Sequence, residues 1–286
     1  MFYLVFVFGV IVGSFLNVVI YRLKICPTTG GAARNAIFGR SFCPECQVTL
    51  KWRDLVPIFS FLWLKGQCRY CRKKISWQYP TVEILSGLIW IGVFWKVFGN
   101  WNLGFVWNLE FGIWNFIYYI FIFSTLLIIA VYDFKWKIIP DKIIYPAIAV
   151  VFLYNIFNSF KLLNFETFKL LNFEIFKYLN IEIFIWSLLT AIIAFLFFFA
   201  IYFFSSGRAM GLGDAKLAFL IGLFLNPFSA IAAFTLAFII GALFGIILLG
   251  LSKISHPLVY KKWVMKSQIA FGPFLVLGTA LAFLVS

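Results

Sequence analysis

Seven runs of mostly apolar residues, near 1–20, 82–98, 112–132, 143–158, 183–204, 230–251 and 269–285, approach or reach the roughly 20 residues that a helix needs to cross a bilayer. An eighth, 215–225, stops at Asn226 and Pro227 and reads as a shortened or tilted span. Composition leaves these runs no other home. Of 286 residues 64% are hydrophobic and 12% charged, against about 25% charged in an ordinary globular domain. A compact domain of this size cannot hide so much apolar side chain and still present a polar surface, so much of it faces lipid. The same numbers exclude disorder and small disulfide scaffolds. The first run has no basic residue before it and no small-residue cleavage site, and Arg22 and Lys24 follow it, so it reads as a retained anchor.

Charge orients the spans. With the N-terminus outside, loops 21–81, 133–142, 205–216 and 252–268 face the cytoplasm and hold 20 of the 24 Lys and Arg, as basic residues prefer. The expected fold is therefore an all-α polytopic membrane protein of about eight transmembrane helices with both termini outside. A small cytoplasmic loop domain joins the first two. That loop carries a charge of +9, which suits anionic lipid head groups or nucleic acid but is explained more simply by positive-inside bias. An eight-residue repeat occupies 160–183, beginning at Phe160, Phe168 and Phe176. Eight residues rotate each copy by about 80° on a helix, so no face persists. The repeat reads as a duplication in an external loop along the membrane surface.

Within the cytoplasmic loop stand two pairs, Cys43-Pro-Glu-Cys46 and Cys68-Arg-Tyr-Cys71, 21 residues apart. Two residues between thiolates aim both sulfurs at one ion, and two such pairs close a tetrahedral zinc site. Zn(2+) so enclosed is structural and supplies folding energy to a loop too polar for a good core. Two disulfides, disfavoured in a reducing compartment, and a redox pair are the other readings. Cys26 has no partner, and His256, the single histidine, argues against a His-based triad.

Ionisable groups at a membrane edge are costly and mark function. Asp133 lies where the third span ends, and Asp214 lies in Gly211-Leu-Gly-Asp214-Ala-Lys216, at the same expected face. The glycines permit close backbone approach or a left-handed turn before Asp214. Two carboxylates held together share a proton, so that one activates water while the other protonates a carbonyl oxygen, which is aspartic-protease chemistry. The alternative is that they pair with Lys135, Lys137 or Lys216, or cap helices. Asp141, after Pro140, reads as a helix-start acid.

These features together resemble a known family. Gly13-Ser-Phe-Leu-Asn-Val-Val-Ile-Tyr-Arg22, the two Cys pairs, Tyr79-Pro-Thr-Val-Glu83, Asp133 with Pro140-Asp141, Gly211-Leu-Gly-Asp214 with Ala215-Lys216-Leu217, and Phe271-Gly-Pro-Phe274 are similar, in order and spacing, to the type IV prepilin leader peptidases of bacteria. The resemblance implies a bifunctional enzyme of the inner membrane, with its active site facing the cytoplasm. Such an enzyme cleaves the basic leader of type IV prepilins and pseudopilins and methylates the new amino terminus with S-adenosylmethionine. Carried over, Asp133 and Asp214 are the catalytic aspartates, Cys43, Cys46, Cys68 and Cys71 hold zinc, and Gly66 is tied to methylation. The implied domains are 1–20, a first transmembrane helix; 21–81, the four-Cys domain associated with methylation; and 82–286, the membrane peptidase. Partners are the substrates and membrane lipid, with no nucleic acid. Two departures stand out: Arg208 replaces an acid that often precedes the GxGD motif, and the 160–183 repeat has no family counterpart. No glycine-rich fingerprint marks a methyl-donor pocket, so peptidase activity alone is a second reading. A membrane-tethered zinc ribbon that binds nucleic acid or a partner is a third, and it leaves the aspartates unexplained.

Overall fold

The computed structural model describes residues 1–25, 40–99, 109–160, 181–254 and 270–286. Most of the repeat (161–180), Cys26 and His256 lie outside them. The described elements are helices: α1 (Phe2–Ile25), a 3-10 turn (Trp52–Asp54), α2 (Phe59–Trp63), α3 (Gln78–Phe98), α4 (Leu109–Trp136), α5 (Asp141–Phe160), α6 (Ile181–Phe204), α7 (Leu212–Phe224), α8 (Pro227–Ile254) and α9 (Gly272–Val285). Extended pairing among the described residues is confined to two isolated bridges. Six helices, α1, α3, α4, α5, α6 and α8, are long and apolar enough to cross a membrane. The runs at 215–225 and 269–285 are helical too, but α7 has 13 residues and α9 has 14. At 1.5 Å per residue each is about 20 Å long, short of a hydrocarbon core of about 30 Å. Proline sets several ends. α3 starts at Gln78 rather than 82 because Pro80 falls in its first turn, where a missing N–H costs nothing, and Pro273 likewise opens α9.

The described chain forms two compact units, Met1–Val131 and Tyr132–Ser286. In the first, α1 and α3 approach backbone to backbone. A Cβ on Gly9 would fall 2.8 Å from Gly87 Cα, and one on Gly13 would fall 2.8 Å from Glu83 Cα. Lipid gives no hydrophobic drive between spans, so small residues spaced as Gly9-x-x-x-Gly13 gain van der Waals contact instead. Buried polar bonds add to it: Ser86 Oγ donates to Gly9 O (2.7 Å) and Asn17 Nδ2 to Tyr79 O (3.0 Å). Trp90, Phe94 and Phe98 of α3 stack edgewise or tilted on Phe116 of α4.

The chain between α1 and α3 is pinned to this pair. Ile58 has φ +60° and ψ −52°, the centre of a tight turn in which Phe59 N donates to Pro57 O (2.5 Å). Such a conformation costs about 1–3 kcal/mol for a β-branched residue and persists only where surroundings enforce it. Here the buried Glu83 Oε2 accepts the Ile58 N–H at 2.8 Å.

In the second unit α7 is the central element. Ala215, Leu217, Ala218, Leu220, Ile221 and Leu223 are all buried, and the helix is apolar around its circumference, as a helix enclosed by protein must be. Its contacts with α5, α6, α8 and α9 explain how an element too short to span is still stable. Gly222 lets α6 close on α7, since its Cβ would meet Ala191 Cα at 2.8 Å; Gly278 does the same for α9 on α8, 2.2 Å from Ala233 O.

Candidate functional site

Two groups of chemistry-bearing residues assemble, one in each unit. In the second unit Asp133 ends α4 and Asp214 begins α7; they are only 5% and 8% exposed. Asp133 Oδ2 accepts the Gly272 N–H at 3.0 Å, where α9 starts. Asp214 Oδ2 accepts the N–H of Gly211, the N-cap of its own helix, at 3.1 Å. That is the returning half of a capping box, placing a carboxylate at the positive end of a helix. The two acids lie near enough for the charge on Asp133 to act on Asp214. Of the alternatives open from sequence, capping is therefore real for Asp214. Lys216 turns away to Asp141 at the start of α5 (2.6 Å), with its Nζ 5.0 Å above the Tyr145 ring. Lys137, four residues further on, lies near enough for its charge to act on Asp133.

The glycines act by close approach, not by handedness. Gly211 is extended (φ −82°, ψ 153°), and the left-handed residues before the motif are Ser206 and Gly207. These two close α6 with a 6→1 bond from Gly207 N to Tyr202 O and a 5→2 bond from Ser206 N to Phe203 O. A Cβ at Gly213 would crowd Ile139 at 3.0 Å, and one at Gly272 would meet Asp133 Oδ2 at 2.6 Å. Gly272 belongs to the Phe271-Gly-Pro-Phe274 motif, but nothing in the sequence marks its hydrogen bond, which joins residues 139 positions apart.

In the first unit the four cysteines converge, each Sγ within 4.8 Å of the others and Cys43 Sγ 4.0 Å from Cys71 Sγ. A tetrahedron of sulfurs at about 2.3 Å from one ion has edges of about 3.8 Å, so the set fits a four-thiolate metal site. The two pairs are built alike. In the first, Cys43 N donates to Val48 O and Gln47 N to Cys43 O; in the second, Cys68 N donates to Lys73 O and Arg72 N to Cys68 O. Gln47 and Arg72 take matching left-handed conformations, φ 56° and 55°. The bridges Phe42–Thr49 and Gln67–Lys74 close the two hairpins, and Lys73 of one pairs with Glu45 of the other.

The thiols resist ionising together. Burial raises Cys43, but the N–H groups of Cys46 and Glu45 outweigh it and bring that thiol to about 7. Lys73 N–H favours the Cys71 thiolate, yet lost hydration and the three neighbouring sulfurs push it up to about 11. A cation is what allows all four to ionise. Gly66 is the turn between α2 and the second hairpin. Lys65 (φ +50°) and Gly66 (φ +70°) end α2 in a Schellman turn, with Gly66 N bonded to Phe61 O (2.9 Å), and Gly66 O accepts Ile75 N.

The model of the bacterial peptidase A24 N-terminal domain matches residues 7–97, and that of the type IV leader peptidase family matches residues 120–246. The chain belongs to the type IV leader peptidase family. Its curated relatives of the family carry the name prepilin leader peptidase/N-methyltransferase. That of Pectobacterium carotovorum subsp. carotovorum is 28% identical, over 95% of this chain and 88% of the relative; that of Bacillus subtilis (strain 168) is 27% identical, over 98% and 93%. One from Klebsiella pneumoniae is 31% identical over 53% of this chain and 60% of its own. No solved structure matches the chain significantly. Both the cysteine hairpins and the GxGD segment fall inside the regions matched by the leader peptidase family models.

Proposed function

We propose that the chain is a polytopic enzyme of the bacterial inner membrane that cleaves the basic leader of type IV prepilins and pseudopilins at the cytoplasmic face. It then methylates the new amino terminus with S-adenosylmethionine. The observation that carries the peptidase half is the pair of buried carboxylates, Asp133 and Asp214, each held by a glycine N–H and close enough to interact. Neighbouring carboxylates do not both ionise readily, so the pair holds one proton between them. The ionised member takes a proton from water as it attacks the scissile carbonyl, and the protonated member donates to the carbonyl oxygen. The Gly272 and Gly211 N–H groups fix the orientation of each carboxylate. In this reading residues 21–81 are the methylation-associated domain and 82–286 the peptidase.

Cys43, Cys46, Cys68 and Cys71 would hold Zn(2+). With four thiolates the ion has no open position, and what it supplies when bound is folding energy. For the methyl donor the described residues offer one orphaned buried acceptor, Asn17 Oδ1, since Asp54 Oδ1 is taken by its ion pair with Arg69. A single acceptor does not make a nucleoside site, so the methyl-transfer half rests on the relatives' name and on the cysteine module.

Incubating the purified protein with a prepilin peptide and labelled S-adenosylmethionine tests both halves. The expected products are free leader and a mature peptide labelled at its amino terminus. Intact peptide refutes the proposal, and cleavage without label retires its second half. A narrower test is Gly272→Ala. The added methyl would stand 2.6 Å from Asp133 Oδ2 and displace it; a shift of about 1 Å at a reacting group costs on the order of 10²-fold. Cleavage by this variant should fall by about that factor with membrane insertion unchanged. A wild-type rate would remove Asp133 from the machinery.

A further inference from the structure

The chain leading into α2 exposes apolar side chains on one side. Phe59, Leu62 and Trp63 are 71%, 62% and 86% exposed, whereas Phe61 is buried against Gly66 and 4.9 Å from the Trp77 ring. Positions 59, 62 and 63 fall on one face of a helical turn, so the segment is amphipathic with its apolar face outward. On a soluble loop such a face would be a liability.

Its depth is fixed by the bond between Ile58 N and Glu83 Oε2. The span Gln78–Phe98 has 21 residues, about 31 Å of helix and hence the whole thickness of the hydrocarbon core. Glu83 stands five residues in from its start, about 7 Å along the axis. Ile58 is therefore held level with a buried group inside the span, not above it, and the strained turn at Ile58 is where the chain reverses. Basic residues frame the segment. Lys51 and Arg53 precede it and Lys65 follows, all exposed, and Trp52 and Trp77 flank it as interfacial aromatics do.

We propose that residues 55–64 form an interfacial wedge. Phe59, Leu62 and Trp63 enter the acyl chains of the leaflet in which α3 begins, while Lys51, Arg53 and Lys65 meet its anionic head groups. The wedge fastens the cysteine module flat to the membrane at the height set by Glu83. The occupant of the apolar face is lipid, because at that depth beside α1 and α3 lipid is the surrounding medium.

The full-length protein in vesicles of phosphatidylglycerol and phosphatidylethanolamine tests this in two ways. Lipid carrying a photoactivatable diazirine near the carbonyl end of its acyl chain should label the tryptic peptide 54–65 at least several-fold more than peptides of the cysteine hairpins. Tryptophan emission lost in Trp63→Phe should be quenched by lipid brominated on the acyl chain and untouched by aqueous iodide. Quenching by iodide with no effect of brominated lipid overturns the proposal. So does protection from both, which would mean that protein covers the face. The labelling arm uses the unaltered chain and decides the matter even where the variant fails to fold.

Discussion

Leader cleavage is expected to fall by roughly 10²- to 10⁴-fold, the range of lost general acid–base catalysis, when either Asp133 or Asp214 is replaced by Asn. The substitution keeps shape and keeps an acceptor: an Asn Oδ1 can still take the Gly272 or Gly211 N–H that the carboxylate takes now. What it removes is the ability to bind or release the proton. A structural role predicts the opposite pattern. If the acids served only to hold α9 and cap α7, Asn would substitute nearly fully, and activity would survive. Because Asn also spares the cost of a buried charge, the melting temperature should stay level or rise, as active-site neutralisations commonly do. The double replacement should be little worse than either single one, since the two groups act as a unit. The pH dependence has a definite sign on both limbs. Cleavage declines toward acid as both carboxyls become protonated and no base remains, and toward alkali as both ionise and no acid remains. Steady-state cleavage of a prepilin peptide across pH, beside thermal unfolding of each variant, checks all of this. Normal turnover by either Asn variant ends the assignment.

How much of this was legible beforehand follows from the range of the forces involved. The spans were readable because lipid demands an unbroken apolar run, and the cysteine hairpins because metal geometry demands a two-residue spacing. Their ends were less so: helix α1 continues through Tyr21 and Arg22 to Ile25, where apolarity has faded but nothing breaks the helix. Partners distant in sequence were not readable at all. Lys216 stood beside Asp214 in the chain and was a candidate partner for it, yet it reaches Asp141 of α5. Gly272 and Asp133 meet only because α9 begins at the end of α4, and Glu83 reaches Ile58 only because a strained turn brings its N–H there. Such contacts are made by tertiary packing and leave no periodic trace.

Loss of metal should have an effect of comparable size on a different activity. Between residues 40 and 77 the buried apolar side chains are Cys43, Phe61 and Cys68, whereas ordering the backbone costs about 1–2 kcal/mol per residue. The hairpins contribute one bridge each, and the ion pair of Arg69 with Asp54 (2.8 Å) is partly exposed and worth little. A four-thiolate zinc site contributes on the order of 10–16 kcal/mol of apparent binding energy at neutral pH, enough to decide whether this module is folded. Cys43→Ser, whose hydroxyl does not ionise to replace the thiolate, should therefore lose bound zinc, expose residues 41–75 to protease and abolish methylation of the mature amino terminus. Cleavage should fall far less, because Asp133 and Asp214 and the glycines that hold them belong to the other unit. The same division should appear with acid. Protons compete with the ion for the sulfurs, so zinc is retained at neutral pH and released as pH falls; Cys71, its thiol raised to about 11 by its neighbours, is a thiolate at neutral pH only while the ion holds it. Metal content by elemental analysis, protease mapping and mass spectrometry of the mature terminus measure the three consequences together. A zinc-free variant that remains protected and still methylates would show that the module folds without its metal.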